Sequence, residues 1–194
     1  MDQTTTYTPA LPRVDAAHPH GQYSTVAKIF HWVTAVLMLV ALSFGFVIKY
    51  IKDEPKMVFY AIHESAGLTI LMVALARLAW RFMSPPPPMH ESIPAPMRRA
   101  AAAVHHALYA ILIIQPILGF VATNAWGFPM QDATAYLGLI NIPAVIGETP
   151  WLARILSTIH TILGYTLVVL LAAHIGGAVY HHALRRDGTL MRML

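Results

Sequence analysis

Four long stretches of the chain are almost free of formal charge, and short polar or proline-rich segments separate them. The last stretch is the purest. Residues 155–184, ILSTIHTILGYTLVVLLAAHIGGAVYHHAL, contain no Lys, Arg, Asp or Glu. As a helix this segment reaches about 45 Å, more than the roughly 30 Å hydrocarbon core of a bilayer. The first stretch predicts a helix over residues 26–50, with Ser24 or Thr25 as its cap. Lys49, Lys52, Asp53, Glu54, Pro55 and Lys56 then make a short polar connection. A second helix follows over residues 57–82, its apolar part interrupted only by His63 and Glu64, and it closes with Arg77, Trp80 and Arg81. Residues 84–96, SPPPPMHESIPAP, form a stiff linker that cannot continue a helix. The third helix is expected over residues 99–123, kinked at Pro116. Residues 124–150 form a longer loop, with Trp126, Phe128 and Trp151 as interfacial anchors. No internal repeat is visible.

Composition supports the same class. Hydrophobic residues make up 57% and charged residues 11% of 194, against about a quarter charged in soluble domains. Mean hydropathy is +0.56. The pattern therefore predicts an all-α integral membrane four-helix bundle in a lipid bilayer. With no cysteine, thiolate-held iron–sulfur clusters, thiolate zinc and disulfides are excluded, and the eleven histidines become the main metal-ligand supply. Residues 1–22 are polar, carry Pro9, Pro12 and Pro19, and lack the apolar core of a signal peptide. They are expected to be a disordered cytoplasmic extension, with no role for His18 and His20, ahead of one domain over residues 23–194.

The net charge of +4 does not argue for nucleic acid, because it follows membrane topology. Four spans put both termini on one side. That side holds Arg13, Lys28, Arg77, Arg81, Arg98, Arg99, Arg185, Arg186 and Arg192; the other holds Lys49, Lys52, Lys56 and Arg154. Nine basic residues against four place both termini in the cytoplasm, with the inner membrane as the expected location.

Topology gives depth to the histidines. His160 and His174 are fourteen residues apart, close to four helical turns, so they share a face about 21 Å apart along the axis. Following each span from its entry side, His31 matches His174 near the cytoplasm and His63 matches His160 near the outer surface. Ionisable groups at such depth are functional candidates. Two axial histidines from facing helices are how a four-helix bundle holds a b-type haem, so two haem b groups in series are expected. Six-coordinate iron leaves no open site for oxygen, which points to electron transfer. The residue four positions after each of these histidines is small, namely Ala35, Gly67, Gly164 and Ala178, and leaves room for a ring. A lone histidine would read better as an interfacial or hydrogen-bonded group with no metal; the depth-matched set of four is what points to haem. Zinc is the weaker metal, because the pairs are too far apart for one ion and no carboxylates complete either site.

These residues also carry a resemblance. His31-Trp32, His63-Glu-Ser-Ala-Gly67, Arg77-Leu-Ala-Trp-Arg81 before the proline run, His105-His-Ala-Leu-Tyr109, Pro116-Ile-Leu-Gly119, His160, His174 and the closing HHALRRDGTLMRM resemble the bacterial cytochrome b-561 family in order and spacing. The likeness runs from Tyr23 to Leu194. It departs in a longer N-terminal tail and in Tyr180, where the family often has Lys. The resemblance implies the same four axial ligands and leaves His105, His106, His181 and His182 outside that set. The characterised type it is similar to is the superoxide oxidase, a di-haem protein that takes electrons from superoxide outside and reduces ubiquinone. Related cytochrome b subunits instead serve as haem anchors and electron conduits for hydrogenases and other periplasmic dehydrogenases, so a periplasmic redox protein is the alternative donor.

Other residues have two readings each. Arg77 and Arg81 could pair with haem propionates or simply follow the charge bias. His105 and His106 could donate to a quinone carbonyl or a propionate, or be a solvated pair. His181, His182 and Glu64 are expected to be solvated. The lysines at 49, 52 and 56 could attract a small anion such as superoxide, diluted by Asp53 and Glu54. Tyr165 lies between the two histidines of the last span, where core packing is expected.

Overall fold

The structure is a computed structural model that describes residues 21–52, 55–89 and 93–194. The extension with His18 and His20, and the pair Asp53 and Glu54, lie outside the described residues. The chain forms α1 (Thr25–Val47), α2 (Pro55–Met83), α3 (Ala95–Ala125) and α4 (Pro150–Tyr180). A short 3-10 turn, Ile48–Tyr50, extends α1, and a π-helical turn, His181–Arg185, extends α4. Among the described residues these are four helices long and apolar enough to cross a membrane.

Of the two candidate caps on α1, Ser24 does the work: its hydroxyl accepts from the Ala27 amide and from the Trp80 indole on α2. The other three helices begin earlier than the apolar pattern alone suggests. α2 opens on Pro55 and α4 on Pro150, and α3 starts at Ala95 with Pro96 in its first turn. The linker expected to exclude a helix through Pro96 therefore contains a helix start. A proline there loses no hydrogen bond, since first-turn amides have no helical partner, and its fixed φ suits the helix. α3 continues through Pro116 as one helix.

Neighbours in sequence are neighbours in space: α1 packs on α2, α2 on α3 and α3 on α4. α1 and α4 meet through ring contacts, His31 on His174 and Phe46 on Tyr165 at 5.3 Å. Tyr165, expected in the core, is instead 52% exposed on this uncovered face. The core is a mid-depth layer made of Met38 and Ala41, the stripe Ala66, Ile70 and Ala74, then Leu108, Ile111, Leu112 and Leu167. Ala74 is fully buried, and alanines at this spacing let helices approach closely. On α2 this layer lies between His63 and Arg77; on α4 it lies between His160 and His174. The outward faces are apolar and uncovered, with Leu39 and Val169 as examples.

The bundle thus has two ends. At the terminal end the last residues fold back under the helices. Arg192 donates to the carbonyls of Gly21, Pro87 and Pro88 at 2.7–2.9 Å and lies over the Tyr23 ring. The Trp32 indole reaches the Met193 carbonyl, and Lys28 reaches that of Leu194. His181, expected to be solvated, is drawn into this network and pairs with Asp187 at 2.5 Å; His182 is exposed. At the loop end the segment between α3 and α4 is ordered. Asn124 donates to the Phe120 carbonyl and accepts from the Val145 amide, and Met130 is buried beneath it.

Burial alone would push the Asp187 carboxyl up, but hydrogen bonds from Thr189, His181 and Arg185 outweigh it and hold the group well below the usual carboxylate range. A folded-state value below the unfolded one contributes stability that is present above about pH 4 and lost as pH falls further. Thermal unfolding followed by circular dichroism in detergent should therefore show a lower midpoint for Asp187→Asn at pH 7. The gap to the wild type should narrow below pH 4; a constant gap would mean that the carboxylate is not what the network uses.

Candidate functional site

At the terminal end, His31 of α1 and His174 of α4 face each other with ring centres 6.1 Å apart and planes at 63°. At the loop end, His63 of α2 and His160 of α4 stand at the same 6.1 Å, with planes at 85°. The tertiary structure therefore brings together the residues that depth alone had matched. Two bonds of about 2 Å from imidazole nitrogens to one metal, plus about 1.1 Å from each nitrogen to its ring centre, sum to about 6.2 Å. Both pairs fit one ion held between two rings. Among the described residues no three His, Cys, Asp or Glu side chains converge on a metal site.

The surroundings of the two pairs differ. Nδ1 of His63 lies 2.8 Å from the Ala41 carbonyl, and Nδ1 of His160 lies 3.1 Å from the Gln115 carbonyl. A carbonyl can only accept, so both Nδ1 atoms carry the proton and each neutral ring keeps its lone pair on Nε2. At the terminal end Nδ1 of His31 meets Nη2 of Arg77 at 3.2 Å. Arginine can only donate, so this Nδ1 holds the lone pair instead.

Arg77 and Arg81 both lie over the Tyr109 ring, at 5.2 and 5.8 Å, which gathers their charge beside His31. His105 joins the same group, its ring centre 5.1 Å from that of His174. His106 makes no such ring contact among the described residues, and its Nδ1 lies 2.7 Å from the Ala102 carbonyl of its own helix. The two neighbours differ because adjacent helical residues point about 100° apart.

The small residues expected to leave room for a ring are not equivalent. A Cβ at Gly67 would meet nothing within 4 Å, whereas one at Gly164 would lie 3.4 Å from the Gln115 amide nitrogen. Two other glycines touch the rings. A Cβ at Gly45 would come within 2.6 Å of His63 Cε1, and one at Gly119 within 2.9 Å of His160 Cε1. Neither glycine was singled out for this role by spacing, because each acts on a histidine of a different helix. The available signal was a glycine between bulky residues, Phe44-Gly45-Phe46, and one three residues after Pro116.

The interhelical loop shields the loop-end pair. Tyr136 OH lies 3.0 Å from Thr69 Oγ1, and the Leu137 amide donates to Ser65 Oγ, so the loop is fastened to α2 just below His63. Glu64, expected to be solvated, is covered: it contacts Thr123, and its Oε2 is buried without a partner among the described residues. Trp126 bonds Ser157 on α4, while Phe128 and Trp151 are exposed as interfacial residues would be.

Residues 22–194 match the model of the family described as prokaryotic cytochrome b561. "Cytochrome b561 homolog 2" of Escherichia coli K12 is 31% identical over 175 residues, 89% of this chain and 91% of the relative. "Probable superoxide oxidase CybB" of Yersinia pestis is 29% identical, over 90% of this chain and 97% of the relative. "Cytochrome b562" of Cereibacter sphaeroides is 25% identical over 89% and 94% respectively.

The loop's hold on α2 is testable. Tyr136→Phe removes one hydrogen bond and should cost about 0.5–1.5 kcal/mol. Hydrogen exchange should quicken at residues 136–140 and leave the helix amides unchanged; equal protection in both proteins would show that the Thr69 contact does not fasten the loop.

Proposed function

The chain belongs to the prokaryotic cytochrome b561 family, and on that premise we propose that it carries electrons across the bacterial inner membrane from superoxide on the periplasmic side to ubiquinone. The observation that carries this reading is the pair of facing-histidine sites, each with 6.1 Å between ring centres, at two levels of one bundle. In it, His63 and His160 would hold one haem b and His31 and His174 the other. Bound haem would supply a one-electron redox centre at each level.

The chain's own residues supply the rest. The positive-inside count supports a periplasmic loop end, which would set His63 and His160 nearest the donor. Each superoxide gives up one electron and becomes dioxygen; two electrons and two protons convert ubiquinone to ubiquinol. Lys49, over the Tyr50 ring at the loop end, adds positive charge where a small anion would approach. At the terminal end Arg77 and Arg81 provide the forked donors that suit propionates. His105, beside His174, is placed to donate to a propionate or a quinone carbonyl. The superoxide reaction is supported by one relative's name at 29% identity.

A second reading, an electron conduit for a periplasmic redox protein, is favoured by one observation. The ordered loop presents Leu139, 85% exposed, with Leu137 and Phe128 also uncovered.

Rapid mixing of the purified full chain with superoxide should give reduced b-type absorption, and added ubiquinone should reoxidise it. Iron that stays ferric with superoxide but is reduced by a co-purifying redox protein would favour the conduit. His174→Ala and His160→Ala should each halve the haem content, removing different absorption components; if either variant kept both, the pairing would be wrong.

A further inference from the structure

We propose that Gly45 and Gly119 are positioning residues that set the loop-end imidazoles before haem arrives, so that this site fills ahead of the terminal-end site. The proposal rests on the four axial ligands of the function proposed above. Its basis is a device that occurs twice. α1 presents the Ala41 carbonyl and, one turn on, Gly45 to His63; α3 presents the Gln115 carbonyl and, one turn on, Gly119 to His160. In each case the Nδ1–Cε1 edge of the ring lies against the glycine. A Cβ would approach Nδ1 to 2.8 Å at Gly45 and 3.2 Å at Gly119. The ring cannot retreat without giving up its bond to the carbonyl. The glycine contact and the hydrogen bond meet the same Nδ1–Cε1 edge and together fix the ring's plane, its tautomer and the direction of its lone pair. On the α3 side Gln115 adds a second tie, its amide donating to the His160 carbonyl at 2.7 Å. The result is two rings crossed at 85° with Nε2 free of its proton on both.

Among the described residues no glycine serves the terminal-end pair in this way. Gly176 and Gly177, the glycines next to His174, would meet nothing within 4 Å if a Cβ were added. His174 is set by ring contacts with His31 and His105. His31 accepts from Arg77 on Nδ1, which leaves the proton of the neutral ring on Nε2, the nitrogen a metal would take. Ligation there requires Arg77 to let go and the proton to move to Nδ1. The released guanidinium is then free for an anionic group of the ligand. One site is pre-organised and the other must rearrange, and pre-organisation lowers the cost of binding.

The experiment is a stepwise haem titration of the full chain, produced under haem limitation and purified in detergent. Haem per protein and the low-temperature electron paramagnetic resonance of the ferric form are read at each step. His174→Ala leaves only the loop-end site intact, and His63→Ala only the other. Half-saturation should need about tenfold less haem in His174→Ala than in His63→Ala, the scale of orienting effects at metal ligands. Crossed imidazole planes give a strongly anisotropic low-spin signal, and in the wild type that signal should dominate at one equivalent. Gly119→Ala should change its anisotropy and weaken that site, leaving the terminal-end signal as it was; loss of both signals in proportion would mark a merely structural glycine and overturn the proposal. Should Gly119→Ala not accumulate, the two histidine variants decide, since neither alters a glycine. Equal affinities in those two variants would overturn the loading order. Haem binding at neither site would instead overturn the function on which it rests.

Discussion

A histidine ring set between apolar helices must place both of its nitrogens, because the hydrocarbon around it offers no water to satisfy either. That requirement organises this bundle. At the loop end the ring proton goes to a backbone carbonyl of the neighbouring helix, which forces the two backbones close together. Close approach in turn demands a glycine one turn further along, and Gly45 and Gly119 occupy those places. Between the two histidine levels the same need for proximity is met by Ala41, Ala66 and Ala74, where large side chains would hold the helices apart.

The terminal end solves the problem with charge. Arg77 donates to His31, Tyr109 supports both Arg77 and Arg81 from beneath, and His105 closes on His174. These cations are gathered at one level because the charged end of α2 lies beside the start of α3. Below them Arg192 ties the chain's end to Gly21 and to the proline linker, and Asp187 collects His181, Arg185 and Thr189. The surroundings of the two histidine pairs are therefore built from different chemistry: backbone carbonyls at one, guanidinium groups at the other.

Much of this was legible beforehand. An uncharged run of thirty residues admits one interpretation, and four long apolar runs with short connections make a bundle whatever the details. Because the rise per residue is fixed, counting from each end placed His31 level with His174 and His63 level with His160 without any coordinates. Helix starts were less legible. Proline disrupts a helix interior but suits its first turn, so a proline-rich linker hides the residue at which α3 begins. Glu64 and His181 hide for a related reason: polarity in a sequence suggests solvent, and only the packing of α3 and of the chain's tail shows that each has partners.

What the sequence determined by itself is the class, the four spans, the family and the histidines at two depths, since all of these follow from local hydropathy, order and helical rise. What only the tertiary structure decided is which surface each histidine meets. Gly45 acts on His63, and Gly119 and Gln115 act on His160, across helix boundaries that no spacing rule crosses. Adjacent His105 and His106 were equivalent in sequence; the rotation of α3 turned one toward His174 and the other away. The rotation of a helix about its axis is set by the packing of all its neighbours at once, and that sum is absent from any one segment.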